Sequence, residues 1–60
     1  MNELLTVKQA SEYLTLSRSM LYLMIQRREI PHIRLSERRI VIRLADLIAW
    51  LEKRKVLEEV

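Results

Sequence analysis

The sequence predicts a mostly α-helical domain with one small β-hairpin, its elements running helix, helix, hairpin, helix. Three observations carry that expectation. Two helix-start signals, at Thr6 and Ser17, open stretches whose apolar residues recur at helical spacing; after Pro31 the period drops to two; and the last segment returns to helical spacing. Sixty residues can build only one core, so residues 1–60 are expected to form a single domain. Half of them are hydrophobic, enough for that core, while the absence of cysteine and the single histidine, His32, rule out a disulfide or a zinc site as a staple. No metal and no cofactor is expected.

Helix one is read over about 7–14. Thr6 can cap its first turn while Gln9, three residues on, reaches back to the Thr6 amide, the pattern of a capping box. Val7, Ala10, Ser11 and Leu14 form its inward stripe, and Lys8 and Glu12 point outward. Helix two is read over about 18–28. It starts at the Ser17 signal, with Leu21, Met24, Ile25 and Arg28 on the inner side, and must stop near Glu29 because Pro31 disfavours a helical Ile30. Only Thr15-Leu16-Ser17 separates the two helices, a spacing typical of a sharp helix-turn-helix corner. The chain has no glycine, so every turn must be made without the residue that most readily takes positive φ.

A hairpin is read over about 32–43, where Ile33, Leu35, Ile40 and Ile42 alternate with His32, Arg34, Val41 and Arg43 around a polar tip, Ser36-Glu37-Arg38-Arg39. Beside a reading helix such a hairpin is a wing. Helix three, about 45–55, sets Leu44, Leu47, Ile48 and Leu51 on one face, with Asp46 near its positive end and Trp50 closing the core. Met24 reads as core and Met20 as its margin, His32 as exposed, and Tyr13 as either core edge or surface.

Charge is distributed unevenly. Between Arg18 and Arg43 stand seven arginines against Glu29 and Glu37, so this stretch carries +5 and the remainder −2. A polyanion would meet one basic face, and nucleic acid is the leading candidate. The outer face of helix two, Arg18, Ser19, Tyr22, Leu23, Gln26 and Arg27, fits a major groove. Arginine can donate twice to guanine and glutamine can make the matching pair with adenine, which places base reading on Arg18, Ser19, Tyr22, Gln26 and Arg27. Arg38 and Arg39 are placed at a neighbouring minor groove, or else guard the hairpin edge against pairing with another sheet. Thr6 and Ser17, at helix N-termini, are caps that also suit phosphate; Arg34 and Arg43 touch phosphates or simply solubilise the hairpin.

From Leu4 to about Lys53 the chain resembles the excisionase-type branch of the MerR-like winged helix-turn-helix families. The opening LLTVKQAS, the LSRSMLY turn and helix start, the IP after helix two and the DLIAWL of helix three carry the resemblance together. It implies a small DNA-binding protein: a recombination directionality factor of a phage or mobile element, or a small transcriptional regulator. It also implies three departures. Relatives place glycine where this chain has Thr15, and also after helix two and at the wing tip, so an altered turn or local strain is expected at Thr15. Leu23 stands where arginine is common, which would leave contact with a thymine methyl. Ile48 stands where relatives often have a polar residue.

The favoured reading is an accessory factor that binds and bends attachment-site DNA to steer an integrase or other recombinase, with cooperative self-association along repeated sites. A promoter-bound regulator is the alternative. A protein-interaction module, resting on Ile48 and on Val56, Leu57 and Val60, is the reading from a different class. No nucleophile has an activating partner near the lone histidine, no glycine loop can cradle phosphate, and Glu58 and Glu59 lie in a terminal tail, so no enzyme is expected. With no signal-peptide pattern and no apolar run of membrane-spanning length, a cytoplasmic, nucleoid-associated protein with no membrane partner is expected.

Overall fold

The computed structural model describes residues 3–56. In chain order it contains β1 (Leu4–Thr6), α1 (Val7–Leu14), α2 (Arg18–Gln26), β2 (Ile33–Ser36), β3 (Arg39–Arg43) and α3 (Leu44–Arg54). Three helices and a three-stranded antiparallel sheet of order β1-β3-β2 make a winged helix-turn-helix, with one strand more than the sequence predicts. The tail residues Leu57, Glu58, Glu59 and Val60 lie outside the described residues.

The additional strand, β1, is too short to show a period of its own. It is a strand because β3 lies beside it, pairing Leu4 with Arg43, Leu5 with Ile42 and Thr6 with Val41. The Leu44 amide donates to the Glu3 carbonyl at 2.8 Å, tying the start of α3 to the same strand. Thr6 ends β1 and caps α1: its Oγ1 accepts from the Gln9 amide at 3.0 Å, and Gln9 Oε1 accepts from the Thr6 amide at 2.9 Å. This is the expected capping box, formed in full.

Both helices of the corner end without glycine. Thr15 takes the left-handed conformation, φ 58° and ψ 37°, while its amide donates to Glu12 and the Leu16 amide to Ser11. Those bonds satisfy carbonyls that the helix end would leave open. The turn is therefore unaltered, and a β-branched residue occupies a region that disfavours it. Ser11, 4% exposed, donates its hydroxyl to the Lys8 carbonyl at 2.8 Å, so its burial leaves no unpaired polar group.

The end of α2 corrects the expected boundary. The helix stops at Gln26, not Arg28, because Arg28 itself turns left-handed at φ 58°. Its amide donates to Ile25 and the Glu29 amide to Met24, the same closure as at Thr15. Arg28 thus leaves the inner face to which helical spacing assigned it, and is exposed.

Replacing either left-handed residue by glycine removes a Cβ penalty while keeping the backbone bonds. Thr15→Gly and Arg28→Gly are each expected to stabilise the fold by about 1 kcal/mol. In a domain this small that raises Tm by about 4–8 °C. A lowered Tm in thermal circular dichroism would contradict the strain at that site.

The hairpin register overturns the expected faces. Ile33 pairs with Val41 and Arg34 with Ile40, and a bulge between Arg34 and Ser36 precedes the Ser36–Arg39 pair. Residues paired across strands share a face, so Ile33 lies with Val41 on one side, and Arg34 with Ile40 and Ile42 on the other. Arg34 and Arg43 therefore occupy opposite faces of the sheet, not one outward face. Val41, expected to point outward, is nevertheless 8% exposed, because it lies mid-strand in β3 between Thr6 of β1 and Ile33 of β2. Leu35, at the bulge, is exposed.

Leu21, Ile42 and Leu47 are the largest fully buried side chains, one each from α2, β3 and α3. Leu5, Val7, Ala10, Ile25 and Ile30 complete the buried cluster, against which Leu14, Met24, Ile40, Leu44 and Trp50 pack. Ile48, grouped by helical spacing with Leu44, Leu47 and Leu51, is 44% exposed, as a residue offered for a partner surface must be. His32, expected to be exposed, is half-buried, with Nδ1 2.9 Å from the Ile30 carbonyl oxygen. Tyr13 lies at the surface. Trp50 closes the core edge as predicted: its indole N–H donates to the Glu29 carbonyl at 2.9 Å, and the Arg54 guanidinium stacks 4.8 Å from the ring.

Candidate nucleic-acid interface

The amino end of α2 is built by Ser17, whose Oγ accepts from the Met20 amide at 3.1 Å. Leu21 makes the helix's first backbone bond, to the Ser17 carbonyl, so the Arg18 and Ser19 amides have no partner within the helix. A phosphate oxygen at this end would meet amides and the positive end of the helix dipole. Thr6 and Ser17 are both caps first; their hydroxyl protons remain able to donate outward.

With Leu21 and Ile25 buried in the core, α2 exposes the other side. Arg18, Ser19, Tyr22, Leu23 and Gln26 are all exposed along it, and Arg27 follows immediately after the last helical turn. The wing stands beside this face. Tyr22 and Gln26 of α2 and Arg34, Glu37 and Ile40 of the hairpin line one open groove of roughly 310 Å³, with Ile25 at its base. Arg34 enters this groove because the hairpin register places it on the Ile40 face, and its Nη1 donates to the Glu37 carbonyl at 3.1 Å.

Arg38 lies in the tight turn between β2 and β3, and Arg39 begins β3 opposite Ser36. Arg43 is four residues further along, about 13 Å at strand rise. It sits at the base of the wing opposite Leu4, with its Nε 3.9 Å from an Asp46 carboxylate oxygen. The groove thus gathers Tyr22, Gln26 and Arg34, the turn carries Arg38 with Arg39 at the start of β3 beside it, and Arg43 stands apart. All seven arginines from Arg18 to Arg43 are exposed, and among the described residues only Arg43 has an ion-pair partner. Among the described residues, the other six guanidinium groups have no carboxylate within ion-pair distance.

Two residues of this surface escape sequence reasoning. Arg28 is turned outward by its left-handed backbone, for which a glycine-free chain gives no cue. Glu37 reads as one more polar residue at the hairpin tip, and its place against α2 depends on the bulge. A second hollow, lined by Pro31, Asp46, Ala49, Trp50 and Lys53, contains none of the predicted site residues. Among the described residues, no helix is long and apolar enough to cross a membrane.

A sharp two-helix corner, an exposed polar second helix and a basic hairpin beside it define a helix-turn-helix domain, a class of domain that binds DNA. A family model described as a helix-turn-helix domain matches residues 4–55, and the chain belongs to that family, which includes excisionase-type DNA-binding proteins. No curated protein and no solved structure gives a significant match to the chain.

Proposed function

We propose that this protein is a sequence-specific double-stranded-DNA-binding accessory factor that places α2 in a major groove and the wing in the adjacent minor groove. One observation carries the reading: six exposed arginines without carboxylate partners among the described residues, borne by α2, the turn after it and the hairpin. Base edges fall to Arg18, Ser19, Tyr22, Gln26 and Arg27, with Leu23 available to a thymine methyl. Arg38 and Arg39 enter the minor groove, whose negative potential deepens where it narrows. The amino ends of α1 and α2, at Thr6 and Ser17, hold phosphates. Arg34 approaches the same strand from the groove and Arg43 reaches backbone further along. The protein acts by binding, with no chemistry of its own, and works in the cytoplasm on the nucleoid.

Bending attachment-site DNA to steer an integrase toward excision is the role most consistent with the sequence resemblance. Several copies aligned on repeated sites would share the deformation cost. Occluding a promoter is the alternative role. Footprinting on DNA flanking the encoding gene separates them: repeated sites beside an integrase gene support the first, and a site overlapping a promoter supports the second. A protein-contact reading draws on Ile48 and Val56, which are 44% and 74% exposed on the α3 side of the molecule. On the DNA reading, about five neutralised phosphates give a log–log slope of affinity against salt of about −4 to −6. A salt-independent complex, or none, would overturn it.

A further inference from the structure

We propose that Glu37 is a specificity-determining residue, a carboxylate set where a DNA strand would pass so that unsuitable sequences are repelled. The inference rests on the DNA-binding reading above and assigns a role to the one acidic residue in its groove. Of the two carboxylates between Arg18 and Arg43, Glu29 belongs to the turn after α2, where its carbonyl is bound by Trp50. Glu37 instead lines the groove between α2 and the wing, together with Tyr22, Gln26 and Arg34.

Its position is fixed through its backbone. Arg34 donates to the Glu37 carbonyl, not to the carboxylate, and among the described residues that carboxylate forms no ion pair. Among the described residues the carboxylate therefore stays outside any direct ion pair, at a groove suited to bind DNA. A strand held between helix and wing brings phosphates toward it, which is unfavourable on any sequence. An ionised carboxylate is purely an acceptor, so only a base that presents an exocyclic amino donor in the minor groove entered by the wing, as guanine does with its N2 group, offsets the repulsion. Discrimination then comes from a penalty on the wrong partner as well as from attraction to the right one.

The test compares wild type, Glu37→Gln and Glu37→Asp on two duplexes of equal length: one selected by the wild-type chain from a random pool, the other of unrelated sequence. Because the Arg34 bond is to the main chain, all three variants keep it, and circular dichroism checks that they fold alike. Glu37→Gln should tighten binding to the unrelated duplex about five- to tenfold and change the selected duplex less than twofold, so the specificity ratio falls at least about threefold. Glu37→Asp, which keeps the charge but shortens the reach, should weaken the selected duplex and leave the unrelated one within twofold of wild type. Equal tightening of both duplexes by Glu37→Gln would reveal a general charge effect and overturn the inference, as would no change on either. A wild-type chain that forms no salt-sensitive complex would overturn the DNA reading itself, a separate and distinguishable result.

Discussion

Leu21→Ala is expected to leave much of the protein unfolded at 37 °C. Leu21 has no exposed surface and sits where α2 meets the core formed with Ile42 and Leu47. Deleting a fully buried leucine side chain costs about 2–5 kcal/mol, the removed transfer energy plus the cavity it leaves. A chain of this length has a total stability of only about 3–9 kcal/mol, and it has no disulfide to limit the unfolded state. Core loss and total stability are therefore of the same order. Thermal circular dichroism would show a Tm lowered by more than 10 °C or a lost transition; a Tm within a few degrees of wild type would mean that α2 is not anchored through this residue. Because Leu21 belongs to the proposed reading helix, the same variant should lose DNA binding in proportion to its unfolded fraction.

Reversing charge at Arg18 and Arg27 together should abolish specific DNA binding without unfolding the protein. Both side chains are exposed, at opposite ends of the outer face of α2, and neither has an ion-pair partner among the described residues. Each arginine–guanine pair contributes about 1–3 kcal/mol of discrimination, and a glutamate in its place adds repulsion from nearby phosphates. The combined loss of affinity is expected to be on the order of a hundredfold or more at moderate salt. Ile48→Asp, on α3, should leave that affinity nearly unchanged. If Ile48→Asp abolished function while the double reversal preserved it, the protein-contact reading would replace the DNA reading.

The parts of this fold legible in the sequence are those specified by neighbours a few residues apart. Thr6 and Gln9 meet within one helical turn, so the capping box could be read directly, and the outer face of α2 follows from helical periodicity. At Thr15, where the resembling family places glycine, the expectation is an altered turn or local strain, and the φ of 58° decides for strain. Features set by distant pairing were hidden. β1 exists only through β3, and no local pattern in Leu4-Leu5-Thr6 announces it. The bulge near Leu35 inserts a residue into the alternation, which exchanges the faces of the strand beyond it. That shift moves Arg34 into the groove with Tyr22 and Gln26. The exposed face of α2 was therefore visible in the sequence, whereas the wall opposite it was not.

The indole bond to Glu29 gives the molecule an optical property of its own. Trp50 is the sole tryptophan, and it joins α3 to the peptide segment leaving α2, on a side without predicted base contacts. Its emission therefore comes from a single defined junction. Ultraviolet fluorescence of the unlabelled protein can follow any tilt of α2 against α3 during complex formation, with little direct quenching from stacked nucleobases.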